Sequence, residues 1–226
     1  MRKLILQSDY FYHIYNRGVD KREVFSDEKD YLRFLKSLRE FNQLETIESL
    51  YRQDQLKRKE AKPLRFSGLQ SKPENRSGLA SLVEIVCYCL NPNHYHLLLK
   101  QLSEKGIENF MHKLSTGYTR YFNDRYHRSG SLFQGTYKAI EIKSDGYLNQ
   151  LSCYINGNAE IHKIVKAEKW PWSSYLDYLG KRKGTLINKG IILNEFKDIN
   201  EYKLLTETVI KESSERKEEI KKYLME

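Results

Sequence analysis

Two apolar runs near the middle of the chain are separated by only three residues. The first run, Leu79–Leu90 (LASLVEIVCYCL), is rich in β-branched and aromatic side chains, and the second is His94–Gln101 (HYHLLLKQ). The link between them, Asn91-Pro92-Asn93, has the composition of a tight turn. The pattern predicts a β-hairpin and therefore an antiparallel sheet.

The segments around this hairpin predict the rest of the sheet and its helices. Phe11–Arg17 (FYHIYNR) alternates like a strand with both faces covered, and Leu132–Ile142 is expected to be a fourth strand. Helical spacing of apolar residues predicts a helix after an N-cap at Ser26, one after the hairpin and one from Ser144-Asp145. The order βαββαβ plus a helix predicts an α+β fold with a ferredoxin-like (RRM-like) antiparallel sheet. The His94 strand should be central in that sheet.

The charge of the chain indicates a polyanionic partner. Lysine and arginine outnumber the acidic residues, which gives a net charge of +9 over 226 residues. No apolar stretch approaches the roughly 20 residues that a membrane-spanning helix needs, so we expect no membrane association. The cysteines, Cys87, Cys89 and Cys153, offer no disulfide framework, which indicates a cytoplasmic protein. The 17 tyrosines suit either an aromatic core or stacking on unpaired bases.

Two domains are expected, with one insertion. The first domain spans residues 1–168, and the second, 169–226, is a docked tail with a final charged helix. The insertion, residues 51–77, is polar and basic and lacks periodicity. It is either a solvated loop or a basic arm that follows phosphates.

Four polar residues are candidates for chemistry. His94 and His96 stand at i and i+2 on a predicted strand, so both imidazoles point to one face, where they could bind a metal ion. Tyr154 and Asn158 stand at i and i+4 on the third predicted helix and share a face. A helix packed across the sheet could bring both to the histidines. The alternative for Tyr154 is a place in the core beside Leu151 and Ile155.

Several motifs in consistent order carry a family resemblance. The run CYCLNPNHYHLLLK contains two histidines around an aromatic residue after a tight turn, FYHIYNRGVDKREVF precedes it, and LSTGYTRYFNDRYHRSGSLFQGTYKAIEI follows. CYINGNAEIHKIV and WPWSSY come next. Over roughly residues 9–180 the chain resembles the IS200-like transposases with the HUH signature, and specifically the branch of REP-associated tyrosine transposases.

The resemblance implies a role for each candidate residue. His94 and His96 match the two histidines that bind a divalent metal, Mg²⁺ or Mn²⁺. Tyr154 matches the nucleophile, which makes the added helix the catalytic one, and Asn158 matches a third metal ligand. The chain departs from the family pattern at Ala159, where a proline is usual, and at Thr136, where an arginine is usual.

The implied activity is cleavage and rejoining of single-stranded DNA through a covalent 5′-phosphotyrosine. The substrate would be single-stranded or hairpin DNA, and the protein could act as a homodimer. We expect DNA contacts from four basic residues of the matched segments. These are Arg17, Arg120, Arg125 and Lys138.

Two other functions stay open on the sequence. A non-catalytic nucleic-acid-binding module could have the same sheet, although the chain has no RNP-like aromatic motif. A zinc-type hydrolase could use His94 and His96, although no third histidine, aspartate or glutamate stands at ligand spacing. The other four histidines are interpreted as structural or surface residues. They are His13, His112, His127 and His162.

Overall fold

The computed structural model describes residues 5–44 and 81–223, with side chains up to residue 219. The insertion at 51–77 and the first residues of the predicted second strand lie outside this part. The described strands are β1 (Phe11–Arg17), β2 (Val83–Asn91), β3 (His94–Gln101) and β4 (Lys138–Ile142). The described α-helices are α1 (Glu28–Glu40), α2 (Gly106–Arg125), α3 (Asp145–Asn156), α4 (Asn158–Ile161), α5 (Tyr175–Tyr178), α6 (Gly190–Leu193) and α7 (Ile199–Tyr223).

The four strands form one antiparallel sheet in the order β2-β3-β1-β4. This order confirms the ferredoxin-like α+β fold, and it places β3 between β2 and β1, as expected. Along the β1–β3 ladder, Tyr15 lies opposite His96 and Arg17 lies opposite His94. The hairpin turn is formed by Pro92 and Asn93, because Asn91 already pairs with His94.

Each face of the sheet is covered by its own core. On one face α1 and α2 pack over the even-numbered residues of β1, such as Tyr12 and Ile14. On the other face α3, α4 and the helices after them pack over β2 and β3. A bulge between Ile85 and Cys87 adds one residue to β2, and Val86 and Cys87 both join this second core.

Two predicted boundaries were wrong. The N-cap of α1 is Asp27 rather than Ser26, since the Asp27 carboxylate accepts from the N–H groups of Lys29 and Asp30. The fourth strand begins only at Lys138. Before it, Leu132 and Phe133 are buried without regular strand pairing.

The third predicted helix is interrupted at Gly157, between α3 and α4. Glycine is a poor helix former, and here it also allows a close approach. A Cβ at Gly157 would lie 2.4 Å from Ile210 Cγ1, so α7 packs directly against this point. The interruption leaves Tyr154 on α3 and makes Asn158 the first residue of α4.

The described residues after 168 join the two cores rather than forming one of their own, with Trp172 in the first core and most of the others in the second. Tyr175, Tyr178, Tyr202 and Ile210 are buried together with residues of α3. The strap Trp172–Ser174 runs beside β2, where Leu90 N donates to Trp172 O (2.9 Å) and Ser174 N donates to Tyr88 O (2.9 Å). The boundary at 168/169 stays a prediction. None of the described helices is long and apolar enough to span a membrane.

Candidate active site

The sheet face under α3 and α4 brings together the polar residues singled out in the sequence. His94 and His96 are each only 8% exposed, and their rings lie 5.2 Å apart in a perpendicular arrangement. Asn158 is fully buried beside them, with its Oδ1 atom 3.2 Å from His94 Nε2. Two alternate residues of β3 and the first residue of α4 therefore form one polar cluster.

The hydrogen bonds of the turn determine which nitrogen of His94 carries the proton. Asn93 Nδ2 donates to Lys21 O (3.1 Å), which turns Asn93 Oδ1 toward His94 Nδ1 at 2.6 Å. An amide oxygen only accepts, so Nδ1 carries the proton and donates. Burial lowers the pKa of His94 to about 4, so its Nε2 is unprotonated at neutral pH and can act as an acceptor or a metal ligand.

The amide of Asn158 is oriented by its neighbour on the sheet. Asn91 Nδ2 donates to Asn158 Oδ1 (2.6 Å) and lies 3.0 Å from His94 Nε2. Two electron-pair donors, His94 Nε2 and Asn158 Oδ1, thus face one another, and the N–H groups of Asn91 Nδ2 donate to both. Asn158 Nδ2 is buried without a hydrogen-bond partner. The donor set suits a cation, and the free amide N–H suits an oxygen of a ligand.

His96 contacts β1 rather than solvent. His96 Nδ1 lies 2.8 Å from His13 Nε2, and the two rings are stacked with centroids 5.0 Å apart. Tyr15, which is on the same strand as His13, also stacks on His96, with the ring centroids 5.7 Å apart. Burial lowers the pKa of His13 to about 4 and holds the pKa of His96 well below its ordinary value. Both imidazoles are neutral at neutral pH, and Nε2 is the nitrogen of His96 left for a metal.

Tyr154 lies at the edge of this cluster, not in the centre of the core. Its ring stands edge-on to His96 with the centroids 6.0 Å apart, and the side chain is half-buried. Leu151 and Ile155 on the same helix are buried instead. Burial raises the pKa of Tyr154, while the Asn158 side chain acts in the opposite direction. The phenol is therefore protonated at neutral pH.

Two of the four predicted DNA-binding residues lie near the cluster. Arg17 ends β1 opposite His94, and its charge contributes to the lowered pKa of that histidine. Lys138 begins β4, is exposed, and places its Nζ atom 5.9 Å from the ring centroid of Tyr15. Two positively charged side chains therefore border the histidine face.

The other two predicted DNA-binding residues lie on α2, which packs on the opposite face of the sheet. Arg120 is exposed there. Arg125 forms ion pairs with Asp27 and with Asp30 (2.7 Å to Asp30). The structure does not bring either arginine to the histidines, and their role in DNA contact stays a prediction.

Sequence reasoning set aside two histidines that the structure places against the proposed ligands. His13 contacts His96, and the His162 ring lies 4.7 Å from the His94 ring. A signal for each was present: His13 is on the same β1 face as Tyr15, and His162 follows Asn158 at i+4. His112 and His127 are exposed, as expected.

The two departures from the family pattern occupy different environments. Ala159 is fully buried in the first turn of α4. Thr136 is exposed directly after Gly135, whose φ of 73° belongs to a left-handed turn. The consequence of each departure for activity stays a prediction. Within residues 5–44 and 81–219, no group of three or more His, Cys, Asp or Glu side chains is arranged to hold a metal.

Comparison with known proteins shows what this chain is similar to in fold and, over one segment, in sequence. A solved structure of a REP-associated tyrosine transposase bound to a REP hairpin superposes with a TM-score of 0.50 at 12% identity. The match covers 83% of this chain and 93% of that chain, so the two share a fold. Residues 78–158 match the model of the family described as "Transposase IS200 like". The resemblance to IS200-like transposases that the motifs carry is therefore confirmed for this segment, and the likeness to the REP-associated transposase is one of fold. No curated protein matches the chain significantly.

Proposed function

We propose that this protein cuts and rejoins single-stranded DNA at hairpins, as a transposase of the IS200-like, REP-associated type. Tyr154 is the nucleophile, and His94, His96 and Asn158 hold a divalent metal ion. The observation that carries the proposal is the convergence of these four side chains, from β3, α3 and α4, on one face of the sheet. All four side chains lie within residues 78–158, the segment that matches the family model.

The donor set fits a divalent ion such as Mg²⁺ or Mn²⁺. His94 Nε2 and Asn158 Oδ1 already face one another at 3.2 Å, and His96 contributes its Nε2 atom. When bound, the ion neutralises the charge of the scissile phosphate and stabilises the phenolate. Mixed nitrogen and oxygen ligands favour Mn²⁺, whereas cellular abundance favours Mg²⁺.

The chemistry of Tyr154 follows from its position and its pKa. Its phenol oxygen attacks phosphorus, a phosphorus–oxygen bond to Tyr154 forms, and the bond to the 3′ oxygen breaks. The phenol loses its proton and the departing oxygen gains one, which leaves a 5′-phosphotyrosine and a 3′-hydroxyl. Attack by a 3′-hydroxyl on the phosphotyrosine reverses the step and rejoins strands without ATP.

The remaining side chains of this face suit an unpaired strand. Arg17 and Lys138 supply positive charge beside the histidines, and Tyr15 lies between Lys138 and His96. The solved relative of the same fold is bound to a REP hairpin. We propose the same class of DNA here, with the duplex stem bound through its backbone and the single-stranded flank directed to Tyr154.

The decisive experiment is detection of a covalent adduct. Wild-type protein is incubated with labelled hairpin DNA and Mn²⁺, and a denaturant-resistant protein–DNA band is expected. Tyr154→Phe removes one oxygen and keeps the ring, so the adduct should disappear while DNA binding is retained. Tyr147→Phe is the matched control, because Tyr147 is on the same helix but 44% exposed.

An adduct that persists in Tyr154→Phe would show that another tyrosine is the nucleophile. Absence of an adduct in the wild type, with binding intact, would favour the non-catalytic binding module. Hydrolysis without an adduct would favour a zinc-type hydrolase.

A further inference from the structure

The last helix brings a lysine to the histidine cluster. Lys217 is on α7, far from the signature motifs in sequence, and its Nζ atom lies 2.7 Å from His162 Nε2. The His162 ring in turn lies 4.7 Å from the ring of His94. Lys217 is partly buried, and its charge acts on His94, His96 and His162. This cation is therefore next to the proposed metal ligands.

A second cation approaches the same place from the sheet. Arg17 lies opposite His94 in the β1–β3 ladder, and its Nε atom is buried without a hydrogen-bond partner. Burial and the charge of Arg17 both lower the pKa of Lys217. The two positive side chains thus act on each other as well as on His94.

This arrangement is unfavourable unless an anion compensates it. Two partly buried like charges repel, and each has lost part of its hydration. The hydrogen-bond partner of Lys217 is an imidazole, which supplies no negative charge. The next residue, Glu218, is paired with Lys163. An anionic group between Arg17 and Lys217 would satisfy the free Nε–H of Arg17 and remove the repulsion.

We propose that Arg17 and Lys217 together bind a backbone phosphate of the DNA strand beside His94, so that α7 forms part of the active site. The proposal rests on the proposed function for the identity of the anion. It gives α7 a direct role in substrate binding, in addition to its packing against α3.

The test measures how strongly binding depends on salt. All variants are made in a Tyr154→Phe background, so that binding is measured without cleavage, and the probe is an unstructured oligothymidylate. Lys217→Gln should lower the slope of log K against log[salt] by about 0.7, the value for one phosphate contact on a single strand. Lys217→Arg keeps the charge and should keep the slope. Lys211→Gln is the matched control, because Lys211 is an exposed lysine of the same helix.

Three outcomes would overturn the proposal. Lys217→Gln could leave the slope unchanged, or Lys211→Gln could lower it equally, which would indicate only general attraction by the surface. Tighter binding by Lys217→Gln would show instead that α7 obstructs the strand. Because binding is measured without the adduct, failure of the proposed nuclease activity would leave this result interpretable. Conversely, if the wild type forms the adduct but Lys217→Gln leaves the slope unchanged, the phosphate contact is rejected and the proposed nuclease activity stands.

Discussion

His13 Nε2 lies 2.8 Å from His96 Nδ1, so one of these two buried imidazoles donates a proton to the other. Only the form in which His96 Nδ1–H donates leaves a free lone pair on His96 Nε2. A cation at Nε2 selects that form and makes His13 the acceptor. Partners of this kind orient a metal-binding histidine and fix its tautomer.

Loss of the His13 acceptor should weaken metal binding. We expect His13→Ala to lower Mn²⁺ affinity by about 10- to 100-fold, as is usual for such partners. His13→Gln keeps an accepting oxygen and should therefore lose less Mn²⁺ affinity than His13→Ala. Titration calorimetry measures both affinities, and far-UV circular dichroism checks that each variant is folded. Wild-type affinity in His13→Ala would show that His13 has no part in the metal site.

Removal of the metal should stop cleavage without releasing the DNA. A chelator abolishes adduct formation, and Mn²⁺ or Mg²⁺ restores it. Asn158→Ala should require much more metal than the wild type, whereas Asn158→Asp retains an oxygen and should bind metal well. Gln150→Ala, an exposed change on α3, is the control. Cleavage that is insensitive to chelation would refute the proposed metal site.

The buried histidines make stability depend on pH. The pKa of His94 and of His13 is about 4 in the folded protein, against about 6.5 in an unfolded chain. The unfolded state therefore binds protons first, so this stability is complete above about pH 6.5 and is lost as the pH falls toward 4. The loss is about 3 kcal/mol for each histidine. Urea unfolding of metal-free protein across this range should show the decrease, and His13→Gln should reduce its slope.

Arg125 is expected to act mainly through stability. It pairs with Asp27 and with Asp30, whose side chain is fully buried at the start of α1. Arg125→Gln removes the cation, while Ser26 N–H and the hydroxyls of Tyr121 and Tyr126 still donate to Asp30. We therefore expect a loss of about 2 to 3 kcal/mol in the free energy of unfolding, below the value for a buried charge with no remaining partner. Arg120→Gln, an exposed change on the same helix, should cost less than about 0.5 kcal/mol. If Arg125→Gln weakened DNA binding without changing stability, the DNA contact expected for Arg125 from the sequence would be supported instead.

The preferred substrate should be a hairpin with a single-stranded flank. The net charge of +9 attracts duplex phosphates, and the rings on the histidine face can stack only on unpaired bases. Three oligonucleotides of equal length are compared in competition: the hairpin with a flank, a blunt duplex and an unstructured strand. Stems are taken from repeats beside the gene. Equal affinity and equal cleavage for all three oligonucleotides would refute the hairpin preference and indicate a nuclease that does not distinguish DNA structures.

Sequence patterns predicted the interior of the sheet better than its margins. β1 and β3 have the expected bounds because both are interior strands with continuous alternation or apolar runs. β4 is shorter than expected because Leu132 and Phe133 enter the core from irregular backbone, which their apolar character does not reveal. The N-cap is Asp27 rather than the predicted Ser26, because serine and aspartate have nearly equal N-cap preferences and the sequence does not distinguish the two neighbours.

The site was predictable only where its residues are local in sequence. The spacing of His94 and His96, and of Tyr154 and Asn158, indicated shared faces, and the structure brings these two pairs together. Lys217 has no such signal, because residues 211–219 of α7 (KESSERKEE) carry no apolar side chain. The position of this half of the helix depends on the packing of Ile210 against Gly157. A contact created by docking of a distant helix has no periodicity to detect.

The strap Trp172–Ser174 also restricts how copies of this protein can assemble. An unpaired outer strand offers its N–H and C=O groups to any other chain, and such edges promote sheet extension and aggregation. Here Leu90 N and Tyr88 O at the margin of β2 are already bonded to the strap. A second copy could join the sheet along Tyr88–Leu90 only by displacing it. A homodimer built by continuing the sheet would therefore have to use the β4 side.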